Sequence, residues 1–240
     1  MKKNLIDLHT HSVLSGHAYS SFTENIEYAS LIGLKVYGIS EHQPDDVGVG
    51  AHKFAFGGCY KSAPKQIDDT KILVGIELNI LEDDFNLYGV NPNNLSYCIA
   101  SMHEYAYPHK LHDYYDNTKN YIRAIETPYV KFLGHTDSDL YPFDYEKVIR
   151  ACKDNEKFIE LNNSSLNPGG YRKNAREIDK EILSYCVKYN VPIIMNSDAH
   201  IKYDIGNVDY AIKFLDEINF PDELVINYNL DLFDKYFKYR

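Results

Sequence analysis

The feature that most constrains this chain is a series of seven short apolar segments, each bearing or followed by an imidazole or a carboxylate. The segments are Asn4–Leu8, Val36–Ser40, Ile72–Ile76, Tyr97–Ser101, Lys131–Leu133, Phe158–Leu161 and Pro192–Met195. Polar loops and helical patterns lie between them. Such alternation builds βα units and a parallel sheet or barrel, because parallel strands need long crossovers, usually helical. Thr23 can cap a helix running through Ile32, with Gly33 ending it. Tyr145–Glu156, Ala175–Tyr189 and Asn207–Ile218 carry apolar residues at helical spacing, and Asp231–Tyr239 predicts a closing helix. Asp45–Asp69 lacks periodicity and is expected to be a loop insertion. With no repeat or low-complexity linker, the 240 residues are expected to form one domain, 1–240, a length that α/β barrels routinely reach.

His9 and His11 close the first segment, Glu41 and His42 the second, Glu77 the third and His103 the fourth. His135 and Asp137 close the fifth; Glu160 lies in the sixth, followed by Asn162 and Asn163; Asp198 and His200 close the seventh. In a barrel of parallel strands that C-terminal rim is where active sites are built. In His9-Thr10-His11 a strand carries both imidazoles on one side, roughly 6–7 Å apart at about 3.3 Å per residue. Asp198-Ala199-His200 repeats the pattern, and His17 follows in the first loop. Imidazole and carboxylate donors without cysteine suit zinc, manganese or iron.

The candidate ligands are therefore His9, His11, His17, His42, Glu77, His103, His135, Asp198 and His200. A single His is more often a surface or hydrogen-bonded residue; these gain weight jointly, through the shared rim. At three or four protein ligands per ion they suffice for two or three divalent transition-metal ions. His52, His109 and His112 lie in loop-like sequence and read as ordinary residues. Glu41 and Glu104 point to the other side of a strand and read as salt-bridge partners. Asp137 shares a face with His135 and can orient a ligand or a water. Arg172 and Arg176 follow the sixth segment, where a guanidinium fork can take phosphate oxygens. The plainer alternative for both is a solvated helix start, which is the usual case for Lys173. Tyr105, Tyr107 and Tyr171 fall in rim loops.

Composition narrows the partners. The net charge of −10 opposes strong binding to a nucleic-acid backbone, which needs a basic face. It leaves room for an anionic substrate, since bound cations make a local positive site inside an acidic protein. Met1-Lys2-Lys3 has no apolar run behind it to make a signal peptide, and no stretch reaches the roughly 18 apolar residues of a membrane span. A cytoplasmic location is expected. Cys59, Cys98, Cys152 and Cys186 form no C-x-x-C pair and are expected to be reduced, with Cys98 and Cys186 as core thiols. Gly48-Val49-Gly50 is too little for a nucleotide fingerprint, and Gly57-Gly58 and Gly169-Gly170 read as turns.

His9-Thr10-His11-Ser12 with His17, Ser40-Glu41-His42, Gly75-Ile76-Glu77, Ser101-Met102-His103, Gly134-His135 and Ser197-Asp198-Ala199-His200 resemble, in order, the motifs of the PHP (polymerase and histidinol phosphatase) superfamily. Glu160-Leu161-Asn162-Asn163-Ser164-Ser165 with Arg172 and Lys173 resembles the YcdX-type phosphatases, whereas Gly134-His135-Thr136-Asp137 looks closer to histidinol-phosphate phosphatases. The resemblance implies an α/β fold, a distorted (β/α)7 barrel, and a trinuclear site. His9, His11, Glu77 and Asp198 would hold one ion; Glu77, His103 and His135 a second; His17, His42 and His200 a third. Glu77, Asp198 and His200 are assigned the catalytic roles, and Arg172 and Arg176 substrate binding. The implied activity is hydrolysis of a small-molecule phosphate monoester by a hydroxide bridging two ions. The alternatives are histidinol-phosphate hydrolysis in particular, a phosphodiesterase or nuclease, and a non-catalytic metal-binding scaffold.

Overall fold

The computed structural model describes residues 3–44, 48–81, 87–104, 106 and 114–237. Its strands are β1 (Ile6–Asp7), β2 (Val36–His42), β3 (Gln66–Ile67), β4 (Thr70–Asn79), β5 (Tyr97–Ser101), β6 (Val130–Leu133), β7 (Phe158–Asn162) and β8 (Ile193–Asn196). Seven of them pair in parallel in the order β1-β2-β4-β5-β6-β7-β8, and β3 pairs antiparallel with β4 off that path. The result is a nearly closed (β/α)7 barrel. One isolated parallel bridge, Thr10–Ala199, spans the seam between β8 and β1. There the Leu8 N–H is taken by the side chain of Asn196 at the end of β8, at 2.8 Å, not by a main-chain carbonyl. This is why β1 is shorter than its apolar segment.

The helices are α1 (Phe22–Leu31), α2 (Tyr60–Ser62), α3 (Tyr114–Glu126), α4 (Tyr145–Asp154), α5 (Ala175–Tyr189), α6 (Asp209–Glu217) and α7 (Leu230–Tyr236). Helix α1 is capped by Ser21, not Thr23: Ser21 and Glu24 form a reciprocal capping box that satisfies two end donors. Gly33, at φ +78°, ends it as expected. Residues 48–69 are more than a loop, holding a π-turn (Ala55–Cys59), α2 and β3. Buried Phe56 and Tyr60 pin the segment to the barrel wall, the Tyr60 hydroxyl donating to the Gly75 carbonyl at 2.8 Å. Helix α3 had no sequence expectation. All four cysteines are free, three of them buried. Among the described residues no helix is long and apolar enough to cross a membrane.

Alternation along the strands sorts the core into two bodies. Outward residues such as Ile39, Val74, Ile76, Leu133 and Ile159 pack under the helices. Inward ones, Val36, Leu73, Tyr97, Ile99, Phe132, Phe158 and Ile194, fill the lower barrel with Ile6 and Leu8, and Phe233 and Phe237 pack against them from the chain's end. Gly38 and Gly75 clear room for the Tyr97 ring. A Cβ on Gly75 would lie 2.5 Å from that ring, and one on Gly38 would meet its hydroxyl. Above this layer the same inward positions turn polar: Glu77 and Asn79 on β4, Glu160 and Asn162 on β7, Asn196 on β8.

Candidate metal centre

Eight of the nine expected ligands converge at the upper rim around Glu77 and Asp198, and His17 completes the group from the solvent side. Glu77 Oε1 lies 3.3 Å from His9 Nε2, 3.2 Å from His103 Nε2 and 3.0 Å from His135 Nε2. Its Oε2 lies 3.1 Å from His42 Nδ1 and 3.6 Å from His11 Nε2. Asp198 Oδ1 lies 3.5 Å from His9 Nε2 and 3.4 Å from His11 Nε2. The His200 ring stands 4.5 Å from that of His11 and 4.4 Å from that of His17. Among the described residues, three sets bring ligand atoms close enough to hold an ion: His9–His11–Glu77, His42–Glu77–His103 and His11–His42–His200. His11, His42 and Glu77 each belong to two sets, so the cluster is one continuous surface of donors.

Several side chains are oriented by the atom that does not face the cluster. His9 Nδ1 donates to Glu160 Oε1 at 2.8 Å, His17 Nδ1 to the Ser15 carbonyl at 2.9 Å and His200 Nδ1 to the Asp198 carbonyl at 2.9 Å. His103 Nδ1 pairs with Asn79 Oδ1 at 2.5 Å. Each leaves Nε2 as the inward donor. The strands end in unusual backbone here: His135 has φ +27° and Asp198 φ +56°, values that non-glycine residues reach at a cost of about 1–3 kcal/mol.

The donor set fits metal ions. His9 Nε2, both nitrogens of His11, His135 Nδ1 and His200 Nε2 are buried without a hydrogen-bond partner. A buried polar atom left so costs about 1–3 kcal/mol, and coordination through the Nε2 atoms of His9, His11 and His200 would remove that cost at those three. Protonation states also suit. Burial pushes His11 and His135 down to about 4, depresses His42 strongly and lowers His17. Burial pushes Glu77 and Asp198 upward, but the surrounding imidazoles, His9 foremost, outweigh it and hold both well below the usual carboxylate range. His9 differs: burial pushes it down, but the Glu160, Glu77 and Asp198 charges outweigh that and hold it well above the usual imidazole range, so an ion bound at its Nε2 would displace a proton. Neutral imidazoles and ionised carboxylates are what a divalent cation needs.

The remaining expectations divide. Arg172 is nearly buried beside the cluster. Its Nη1 donates to Ser165 Oγ at 2.8 Å, lies 4.0 Å from Asp198 Oδ2, and its guanidinium stacks on Tyr171 at 4.8 Å. Arg176 is engaged elsewhere, paired with Glu217 and packed over Phe214 of α6. Lys173 is exposed. Asp137 is buried, and the Arg172 charge partly offsets the upward push of burial on its carboxyl. Glu41 is no salt-bridge partner. It is wholly buried and takes the Ser12 and Ser15 hydroxyls at 2.5 Å each, and burial raises it to about 7. Glu104 is exposed, with no ion pair to a described residue. His52 lies beside Phe54 with the rings tilted, away from the cluster. His109, His112, Tyr105 and Tyr107 lie outside the described residues.

Sequence reasoning left Glu160 and Asn162 unassigned. Both face the cluster from β7, and Asn162 Nδ2 reaches Glu160 Oε2 at 3.1 Å and Asp198 Oδ2 at 3.2 Å. Their spacing of two in a strand was the available signal.

Fold and donor geometry together define a barrel with a metal-type centre on its C-terminal rim, and comparison with known proteins agrees. The PHP domain model matches residues 7–239. A probable phosphatase of Clostridium acetobutylicum is 40% identical over 228 residues, covering 94% of this chain and 91% of that protein. A probable phosphatase of Caldanaerobacter subterraneus is 38% identical over 239 residues, covering 98% and 92%. Among solved structures, a histidinol phosphate phosphatase from Lactococcus lactis, complexed with zinc, L-histidinol and phosphate, superposes with a TM-score of 0.66. It covers 91% of this chain and 95% of its own at 16% identity, a likeness of fold. The chain belongs to the PHP family. Within that family its relatives make it a phosphatase.

Proposed function

We propose that this phosphatase hydrolyses phosphate monoesters of small metabolites with two to three divalent transition-metal ions, zinc, manganese or iron. The observation that carries the reading is the convergence of imidazole nitrogens and carboxylate oxygens on one rim, several without hydrogen-bond partners. His9, His11, Glu77 and Asp198 would hold one ion, Glu77 with His103 and His135 a second, and His17, His42 and His200 a third. Bound there, the ions supply Lewis acidity and lower the pKa of water toward neutrality.

The protein's own groups do the rest. Arg172 offers a guanidinium fork at the cluster's edge, suited to the equatorial oxygens of a phosphoryl group. Ser165 and Tyr171 fix its plane, so little ordering remains when substrate arrives. The adjoining hollow, about 510 Å³ and lined by Met102, His103, Leu140, Tyr141, Tyr171 and Arg172, has the size of a metabolite site. No Ser or Cys nucleophile is needed. The acidic balance supports a small substrate over a nucleic acid.

The test is metal content by plasma mass spectrometry on protein purified without chelator or His tag, with activity on p-nitrophenyl phosphate and bis-p-nitrophenyl phosphate. Two to three ions and monoester cleavage are expected. Cleavage of the diester alone would move the assignment to a phosphodiesterase. Less than one ion per chain, with no activity after metal is restored, would leave a scaffold.

A further inference from the structure

Glu160 carries a carboxylate that the ligand assignment leaves unused. It is buried on β7 and accepts four N–H groups. His9 Nδ1 and Asn196 Nδ2 reach Oε1, both at 2.8 Å. The His135 backbone N–H reaches Oε2 at 2.8 Å and Asn162 Nδ2 reaches it at 3.1 Å. The donors come from four places in the barrel wall: the segment after β1, the segment after β6, and the ends of β7 and β8.

Two of those donors belong to residues facing the cluster, and a third reaches one. Holding the Nδ1 proton of His9 on Glu160 leaves Nε2 toward Glu77 and Asp198. Holding the His135 N–H supports that residue at its positive φ, where its Nε2 comes within 3.0 Å of Glu77. Asn162 passes the constraint on to Asp198 Oδ2.

We propose that Glu160 is the positioning residue of the metal centre, one carboxylate that sets the aim of His9, His135 and Asp198 without itself ligating. The inference rests on the metal-dependent reading above. Only a carboxylate suits the place. Its two oxygens offer about four acceptor sites, while an amide would turn an NH2 group against two of the four donors. Aspartate would be one methylene short of them.

The test compares wild type, Glu160→Gln and Asn227→Ala. Asn227 is a buried hub of similar size in the seam: its side chain takes the Met195 N–H at 2.7 Å and donates to Ile6 and Met195 carbonyls, away from the cluster. Zinc affinity is measured by chelator competition, and thermal unfolding is followed with zinc removed and with zinc saturating. Glu160→Gln is expected to lower zinc affinity by about 10- to 100-fold, the usual cost of losing an outer-shell partner, and to shrink the rise in Tm that zinc gives. Asn227→Ala is expected to lower Tm equally in both states and to leave affinity unchanged. Equal Tm losses with and without zinc, at wild-type affinity, in Glu160→Gln would make Glu160 a merely structural group and overturn the proposal. If that variant does not fold, NMR of zinc-loaded wild type decides: a downfield Nδ1 proton on His9 is expected, and a proton on Nε2 overturns it. Wild type that takes up neither zinc nor manganese nor iron overturns both this inference and the metal reading, whereas a metal-binding wild type with an unaffected variant overturns this one alone.

Discussion

The lower and upper halves of the barrel interior are made by the same face of the same strands and behave in opposite ways. On β4 the inward residues run Leu73, Gly75, Glu77, Asn79; on β7 they run Phe158, Glu160, Asn162. Within two or four residues an apolar stack becomes a bed of donors. The lower half is closed by apolar packing with Phe132, Phe158 and Phe237 in contact. Its stability is intrinsic. The upper half buries polar atoms that lack partners and holds two non-glycine residues at positive φ. On the metal-dependent reading, its stability depends on the ions it holds. Folding and function are thus divided along the strand axis, and substitutions on either side of the Tyr97 layer should separate stability from metal chemistry.

The widest separation is expected at Glu77, whose oxygens touch five imidazoles. Glu77→Ala should reduce activity on p-nitrophenyl phosphate by on the order of 1,000-fold or more, the loss of several kcal/mol of charge stabilisation, and should lower metal content in the same sample. Activity near wild type would break the division at its centre. The mirror experiment is Phe132→Ala in the lower half. It should cost about 3–5 kcal/mol in urea unfolding while the folded protein keeps its full complement of metal.

Acid should separate the halves as well. His11 and His135 take up protons in the fold only near pH 4, against about 6.5 when unfolded. Their contribution to stability is present above about 6.5 and is lost as pH falls toward 4. Asp7 and Glu41, raised by burial to about 6 and about 7, work in reverse: their contribution is present below about 4 and is lost as pH rises through 6 to 7. Over this shared window the two pairs oppose each other. Lowered His17 and His42 act with the first pair, while raised Asp137 and Asp179, and raised His9 from about pH 6.5 upward, act with the second. Zinc-free protein should therefore show a shallow change in stability from pH 4 to 7. The zinc-loaded protein should keep its ions at pH 6 and release them as pH nears 4. It then forfeits about 4 kcal/mol where free zinc stands 1,000-fold above Kd. Calorimetry with metal analysis at each pH checks both curves, and parallel curves would show that bound metal adds nothing to stability.

The upper half was the more legible one in the sequence. A ligand at the end of a strand is a local pattern, and period-two spacing put His9 and His11, or Asp198 and His200, together without knowledge of the fold. What escaped depended on partners far along the chain. Glu41 read as a salt-bridge residue because nothing nearby showed that Ser12 and Ser15 would fold over it. Glu160 shows no role in sequence because its donors lie up to 151 residues away. Thr23 and Ser21 are both suitable caps by residue type, and only the reciprocal bond with Glu24 selects Ser21. Helix α3 is obscured in sequence by a stretch rich in Tyr, Asn and Asp, residues of modest helix propensity. Arg172 and Arg176 were indistinguishable in sequence; Arg172 lies in the loop before α5 and reaches the cluster, whereas Arg176 lies in the first turn of α5 and pairs with Glu217.

That pair provides the next test. Arg172→Ala should reduce kcat/KM by on the order of 10- to 100-fold, from about 1.5–3 kcal/mol for hydrogen bonds to a charged group. Arg176→Ala should leave kcat/KM unchanged, having lost an exposed ion pair worth about 0–1 kcal/mol of stability. Equal effects on kcat/KM would extend the binding surface beyond the cluster's edge to α6.

The smallest expected effect lies at the boundary itself. The Tyr97 ring belongs to the lower half, yet its hydroxyl donates at 2.5 Å to the carbonyl of Leu8, the residue before His9. Tyr97→Phe keeps the ring between Gly38 and Gly75 and removes only that bond, so it should cost about 1–2 kcal/mol in urea unfolding. If the halves are independent, zinc affinity is unchanged, because His9 is aimed by Glu160 and not by the main chain beneath it. A fall in zinc affinity from this one lost hydroxyl would mean that the apolar stack also sets the height of His9. The division would then be a gradient, with the lower barrel acting as part of the metal site's support.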